Sequence, residues 1–296
     1  MNKYTLIDSG NLKKLEKFGP YTIIRPCLQA VWRSKLKKDI WEQADFIFVR
    51  DSKNKWLDNS KSKKDLKNLS WTIDVDKIKL NLELTDFGHI GFFQEHVFLC
   101  KKLKALIENI KKEENISKEK PKINILNLFA YTGLATLFAA KSGANVCHVD
   151  SSKPTILWAK KNVKTNKLEN APIRWIQDDV LKFLKREVNR GSKYDGIVLD
   201  PPSFGRGAKG EVFKIETDIL TLLDLSKQLL KKSKFSFIIF STHSPGFNKT
   251  AIQNLFIDLF KKDDHLDIDE LLINSEKSYA LPSGYYAIWQ KNEKIF

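Results

Sequence analysis

The chain has 296 residues, 42% of them hydrophobic and 11% aromatic, enough for one large α/β domain with a smaller module beside it. Cys27, Cys100 and Cys147 share no close spacing, which argues against a disulfide framework or a zinc site of the usual kind, and no metal site is expected. The start of the chain is interrupted by charge, and no stretch approaches the ~18 apolar residues of a membrane span. The expectation is therefore a cytoplasmic protein in a reducing compartment, with no membrane partner.

The formal net charge of +15 is compatible with a nucleic-acid partner, because clustered cations gain from counterion release on a phosphate backbone. Only seven of the 51 basic residues are arginine, the side chain suited to bidentate phosphate contacts. The charge fits an RNA partner without requiring one.

In chain order, residues 1–94 form a β-rich module. They hold four of the seven tryptophans (Trp32, Trp41, Trp56, Trp71), which read as core, and the β-prone runs 21–24, 46–49 and 78–84. Residues 59–65 read as an exposed loop. The second domain, 95–296, opens with a helix over 95–114, where Val97, Leu99, Leu103, Leu106, Ile107 and Ile110 have largely helical spacing. A charged connector, 111–121, follows.

After Pro121 the alternation is regular. Strands are predicted over 123–129, 145–149, 173–177, 196–199 and 235–240, and helices over 134–141, 154–165, 180–188 and 216–230. A further helix carries Ile252, Leu255, Phe256, Leu259 and Phe260 on one face. Strands alternating with helices of this length imply right-handed crossovers and a mostly parallel, doubly wound sheet. Strands 268–273 and 285–289, with no helix between them, close the sheet as an antiparallel hairpin around Leu281-Pro-Ser-Gly284.

Four strand ends carry candidate chemistry. Ala130-Tyr131-Thr132-Gly133 follows the first strand of this domain, where ligands of open α/β sheets bind and where a glycine permits close backbone approach. No G-x-G-x-x-G fingerprint is present, which argues against a nicotinamide cofactor. Asp150, followed by Ser151, ends the next strand; its carboxylate can accept from ribose hydroxyls, or serve in a helix cap before Pro154. Of Asp178 and Asp179, one can accept from an adenine amine while the other caps a helix, and the pattern does not separate them.

The most informative segment is Asp200-Pro201-Pro202-Ser203-Phe204. Its prolines stop the strand and turn the backbone, freeing carbonyls that, with Asp200, can orient a planar nitrogen acceptor, and Phe204 can stack on a base. His243, at the end of the fifth strand, is a candidate proton acceptor, set against the reading of a hydrogen-bonded structural residue.

Residues 126–133, Val149-Asp150 and 198–204 together resemble bacterial methyltransferases of large-subunit ribosomal RNA, the I/K family, which make 5-methylcytosine or 7-methylguanine. Residues 85–96 resemble the segment preceding their cofactor motif, and Phe18-Gly-Pro-Tyr21 with Arg25-Pro26 resembles a less characterised branch. The resemblance covers residue 78 to the C-terminus. It implies a Rossmann-like class I methyltransferase sheet and S-adenosylmethionine (SAM) as cofactor. Residues 130–133 would wrap the methionine part, Asp150 and Ser151 would meet the ribose, Asp178 or Asp179 the adenine, and Asp200 and Pro201 would lie beside the methyl group.

One departure bears on mechanism. Methylation at cytosine C5 needs a thiolate to attack C6, and the family members that do this carry a cysteine after the fifth strand. Here that segment is Phe240-Ser-Thr-His-Ser-Pro245, without cysteine. Direct transfer to a nitrogen or oxygen of RNA, ribosomal RNA foremost, is the expectation. A protein or small-molecule acceptor, or a non-catalytic SAM- or RNA-binding module, stays open as the alternative.

Overall fold

The computed structural model describes residues 3–51, 54–60, 65–113, 123–207, 210–261 and 264–291. Parts of the expected loop 59–65 and of the connector 111–121 lie outside the described residues. The chain divides into two compact units, Met1–Val97 with Leu272–Ser283, and Phe98–Leu271 with Gly284–Phe296. The reading from sequence puts the boundary at 94/95 and leaves the whole C-terminal hairpin in the second domain. The tip joins the first unit because Ile273 and Leu281 are buried with Leu6, Cys27 and Ala30.

The first unit contains β1 (Tyr4–Gly10), β2 (Lys13–Phe18), β3 (Tyr21–Pro26), the short α1 (Lys38–Glu42), β4 (Phe46–Val49), β5 (Lys55–Asp58), β6 (Ser70–Val75) and β7 (Ile78–Glu83). Strands β1 to β5 form one sheet in sequence order, antiparallel except for the β3–β4 pair, and β6 and β7 form a separate hairpin. The links Asn11-Leu12 and Asp76-Lys77 hold positive φ at both residues, the geometry that matches a two-residue turn to strand twist. All four tryptophans are half-buried, and each indole N–H donates within the unit: Trp32 to Ser9 O, Trp41 to Asp8, Trp56 to Thr85 O and Trp71 to Phe18 O. They brace the unit, since a buried indole needs a partner for its donor.

The second unit follows α2 (His96–Glu113) with β8 (Asn124–Leu128), α3 (Leu134–Lys141), β9 (Asn145–Asp150), α4 (Lys153–Thr165), β10 (Ile173–Gln177), α5 (Val180–Asn189) and β11 (Gly196–Leu199). Then come β12 (Phe204–Arg206), β13 (Val212–Lys214), α6 (Ile215–Leu229), β14 (Phe237–Thr242), α7 (Lys249–Leu259), β15 (His265–Ile273) and β16 (Leu281–Gln290). The main sheet runs β10-β9-β8-β11-β14-β16-β15, with the first five strands parallel and β16 antiparallel to β14. This is the expected α/β architecture, with an added β12–β13 hairpin. Residues 281–284, expected in the closing turn, instead begin β16, and the turn falls at 274–280. No helix among the described residues is long and apolar enough to cross a membrane.

Successive residues of a strand face opposite sides of a sheet, so a strand buried on both faces is apolar along most of its length. Ile238 and Phe240 of β14 pack with α5, α6 and α7, while Phe237 and Ile239 pack with α2 and α3. The apolar face of α7 enters the first of these cores, with Ile252 and Phe256 nearly fully buried.

Gly196 lies in register with Phe237, and a Cβ there would sit 2.0 Å from the ring tip of that fully buried side chain. Gly196→Ala should therefore cost roughly 2–3 kcal/mol through overpacking, read as a lower urea midpoint. Phe237→Leu in the same chain should recover part of the loss, and an unchanged midpoint in Gly196→Ala would contradict this packing.

Candidate active site at the strand ends

Strands β8 and β11 lie side by side and parallel, with Leu128 opposite Leu199. From β8 the chain winds outward through β9 and β10, and from β11 in the other direction to β14. The carboxyl ends of β8 and β11 thus flank the topological switch point, where open α/β sheets form their ligand crevice. Ala130–Gly133 leaves one end and Asp200–Phe204 the other.

The turn after β8 is more contorted than one glycine would suggest. Phe129, Tyr131 and Gly133 have φ of 53°, 48° and 85°. Aromatic side chains seldom occupy this region, and such outliers persist where the surroundings fix them. Ala130 and Thr132 are buried and Tyr131 half-buried. Tyr131 N–H donates to Asp150 Oδ2 at 2.8 Å, Gly133 N–H to Ala130 O at 3.0 Å, and Asn162 Nδ2 of α4 to Thr132 O at 2.9 Å. Gly133 is also the N-cap of α3, and a Cβ on it would lie 3.1 Å from Ala159 Cβ.

Beneath the turn runs a buried polar chain that sequence reasoning missed. Asn127 Nδ2 donates to Thr136 Oγ1 at 3.0 Å, and that hydroxyl lies 2.9 Å from His148 Nδ1. His148 is fully buried, its Nε2 has no hydrogen-bond partner among the described residues, and burial holds its pKa down at about 3. It is a neutral core histidine linking β8, α3 and β9.

Asp150 is largely occupied by its own chain. Besides Tyr131 N–H, its carboxylate accepts from Ser152 N–H at 2.9 Å and Thr155 Oγ1 at 3.0 Å. A carboxylate offers about four acceptor positions, so about one stays open. The N-cap of α4 is Ser152, with Pro154 in the first turn and Ser151, half-buried, just before it. Asp179 is the N-cap of α5, accepting from Lys182 N–H at 2.9 Å. Asp178 instead lies at the end of β10, where its N–H donates to Asp150 O and its carboxylate meets Arg186. The two acids that the sequence left unresolved thus do different local work.

On the β11 side, Asp200 Oδ1 accepts from Ser241 Oγ at 2.7 Å, and Ser203 Oγ lies 2.7 Å from Ser244 Oγ. These two bonds zip the ends of β11 and β14 together. Pro201 is buried, whereas Pro202 is exposed. Phe204 starts β12 with half its surface exposed, and the Arg206 guanidinium lies 5.8 Å from its ring centre. His243 is exposed, with a ring nitrogen within 4.8 Å of an Asp200 carboxylate oxygen. Ser241 and Ser244 belong to the site framework, and their only signal in sequence is a cluster of hydroxyls after an apolar strand.

The family described as "Conserved hypothetical protein 95" matches residues 105–257. The crystal structure of a SAM-dependent methyltransferase from Agrobacterium tumefaciens is 33% identical, superposes with a TM-score of 0.88, and shares 98% of this chain and 91% of its own. The chain belongs to the SAM-dependent methyltransferase family. Among curated relatives, ribosomal RNA large subunit methyltransferase K/L of Alteromonas mediterranea is 37% identical over 178 residues, 59% of this chain and 23% of that protein. Its counterpart in Shewanella frigidimarina is 32% identical over 212 residues, 67% and 28%. This member of the family therefore spans about a quarter of the length of the curated relatives it matches.

His148 gives the stability of the site framework a defined pH dependence. An unfolded histidine takes up a proton near pH 6.5, whereas the folded one stays neutral down to about pH 3. Its stabilising contribution is complete above pH 6.5 and declines as pH falls, by roughly 2–3 kcal/mol between pH 7 and 4.5. Urea titrations over that range should show the difference between the unaltered chain and His148→Gln narrowing as the pH drops. A difference that does not vary with pH would refute the assignment.

Proposed function

We propose that the chain transfers a methyl group from SAM to a nitrogen of RNA, with cytoplasmic ribosomal RNA as the substrate. The observation that carries this reading is the adjacency, at one switch point, of the strained 129–133 turn and the Asp200-Pro-Pro-Ser-Phe204 segment. The turn fits the cofactor because Gly133, at φ 85°, lets it close tightly on α4, where a Cβ would lie 3.1 Å from Ala159 Cβ.

In this reading Ala130, Tyr131, Thr132 and Gly133 wrap the methionine part. Asp150 takes one ribose hydroxyl with its remaining acceptor position, next to Ser151. Asp178 faces the adenine, because Asp179 is committed to capping α5. When bound, SAM supplies a sulfonium methyl that passes to the acceptor's lone pair as the carbon–sulfur bond breaks, leaving S-adenosylhomocysteine. Asp200, held by Ser241, and the carbonyls freed by Pro201 and Pro202 orient the acceptor nitrogen, and Phe204 stacks on its base. His243, exposed and near Asp200, accepts the released proton or passes it to water. Positioning supplies most of the rate gain.

The cysteines support nitrogen over cytosine C5. All three are buried, and burial raises each thiol above its ordinary value, Cys147 to about 11. None is a ready thiolate nucleophile.

With methyl-labelled SAM and bulk ribosomal RNA beside total cell protein, label should enter RNA. Asp200→Ala should lower the rate on the order of 100-fold while S-adenosylhomocysteine still binds. Label in protein alone, or an unchanged rate in Asp200→Ala, would overturn this reading.

A further inference from the structure

One exposed loop of the N-terminal unit is held by more buried polar contacts than a plain connection requires. Residues 27–37 join β3 to α1. Asp8, fully buried, accepts from Leu36 N–H at 2.9 Å, Ser9 N–H at 2.9 Å, Trp41 Nε1 at 3.1 Å and Ser278 Oγ, with a longer contact from Lys35 N–H at 3.4 Å. Asn11 N–H donates to Trp32 O at 2.6 Å and Leu12 N–H to Ala30 O at 2.8 Å. A Cβ on Gly10 would lie 2.3 Å from Ser34 N, so β1 passes directly beneath the loop.

What this framework presents outward is apolar and cationic. Leu28 and Val31 are 72% and 76% exposed. Beyond them exposure alternates, with Arg33, Lys35 and Lys37 exposed and Trp32, Ser34 and Leu36 half-buried. Residues 28–38 contain four cations and no acid. Lys38 pairs with Glu42 at 3.2 Å, whereas Arg33, Lys35 and Lys37 form no ion pair among the described residues. Lys35 Nζ sits 4.0 Å from the ring centre of Tyr279, itself half-exposed.

A solvated charge run needs no such scaffold, and a loop whose backbone is already held loses less freedom on binding than a floppy one. Like charges clustered on one loop favour a polyanion, and an exposed ring beside Lys35 gives a base a surface to stack on. An acidic peptide would satisfy the cations but would leave the ring and the neighbouring apolar side chains without a planar partner.

We propose that the 28–37 loop, with Tyr279, is a docking surface for the phosphate backbone of the RNA substrate. This rests on the RNA reading given above.

The test compares the full chain carrying Arg33→Glu, Lys35→Glu and Lys37→Glu with one carrying the same charge change on the second unit, Lys164→Glu, Lys167→Glu and Lys185→Glu. The probe is bulk large-subunit ribosomal RNA, bound at several salt concentrations. The loop variant should bind at least ~10-fold more weakly near 0.1 M salt, and its slope of log affinity against log salt should shrink by about 2–3. Its KM for RNA should rise while the rate at saturating RNA and the affinity for S-adenosylhomocysteine hold. The control variant should lose much less. Replacing the same loop cations by Gln should act in the same direction and guards against misfolding from charge reversal. Equal losses in loop and control variants, or no loss in the loop variant while RNA is still methylated, overturn the docking surface alone. If the unaltered chain neither binds nor methylates RNA, both readings fall together.

Discussion

The candidate site depends on one backbone constraint, the run of positive φ at Phe129, Tyr131 and Gly133 where β8 ends. An aromatic residue in that region costs on the order of 1–3 kcal/mol, and the chain adopts it only where the surroundings demand it. Here three elements supply the demand. Asp150 at the end of β9 accepts from Tyr131 N–H, Asn162 of α4 donates to Thr132 O, and the Asn127–Thr136–His148 chain fixes the strand and helix on either side. Everything else in the crevice takes its place relative to that turn, because β11 and its Asp200 segment run beside β8 in register.

Asp150 serves first as scaffold for the candidate site. Its carboxylate ties the turn to the start of α4, and three chain donors already use most of its acceptor capacity. On the opposite wall the bonds Asp200–Ser241 and Ser203–Ser244 play the corresponding part, holding a segment whose two prolines have no N–H to donate. Both walls are held by hydrogen bonds within the chain itself.

Much of this was legible in the sequence, because the central strands β11 and β14 are buried on both faces and read as apolar runs between helical periods. The helix 134–141 and the strands 173–177 and 196–199 match their expected limits. The strand-end motifs could be placed for the same reason. What sequence could not give were pairings between distant residues. Nothing in Phe129 or Tyr131 announces a left-handed backbone, and the bond between Tyr131 and Asp150 spans 19 positions. His148 reads as one more strand residue. Gly284 suggested a turn, yet it lies in β16, where a Cβ would meet Thr242 O at 2.4 Å, so the glycine serves close strand approach. The N-terminal unit was the least legible, since its short strands alternate weakly and part of its core comes from the distant hairpin tip.

The proposed cofactor cradle is the turn after β8. Calorimetric titration of the intact chain with S-adenosylhomocysteine tests it most directly. One equivalent should bind, and Gly133→Val, which would add a branched side chain at φ 85° against Ala159, should abolish binding while the fold survives. No binding by the unaltered chain, or equal binding by a folded Gly133→Val, would contradict the account.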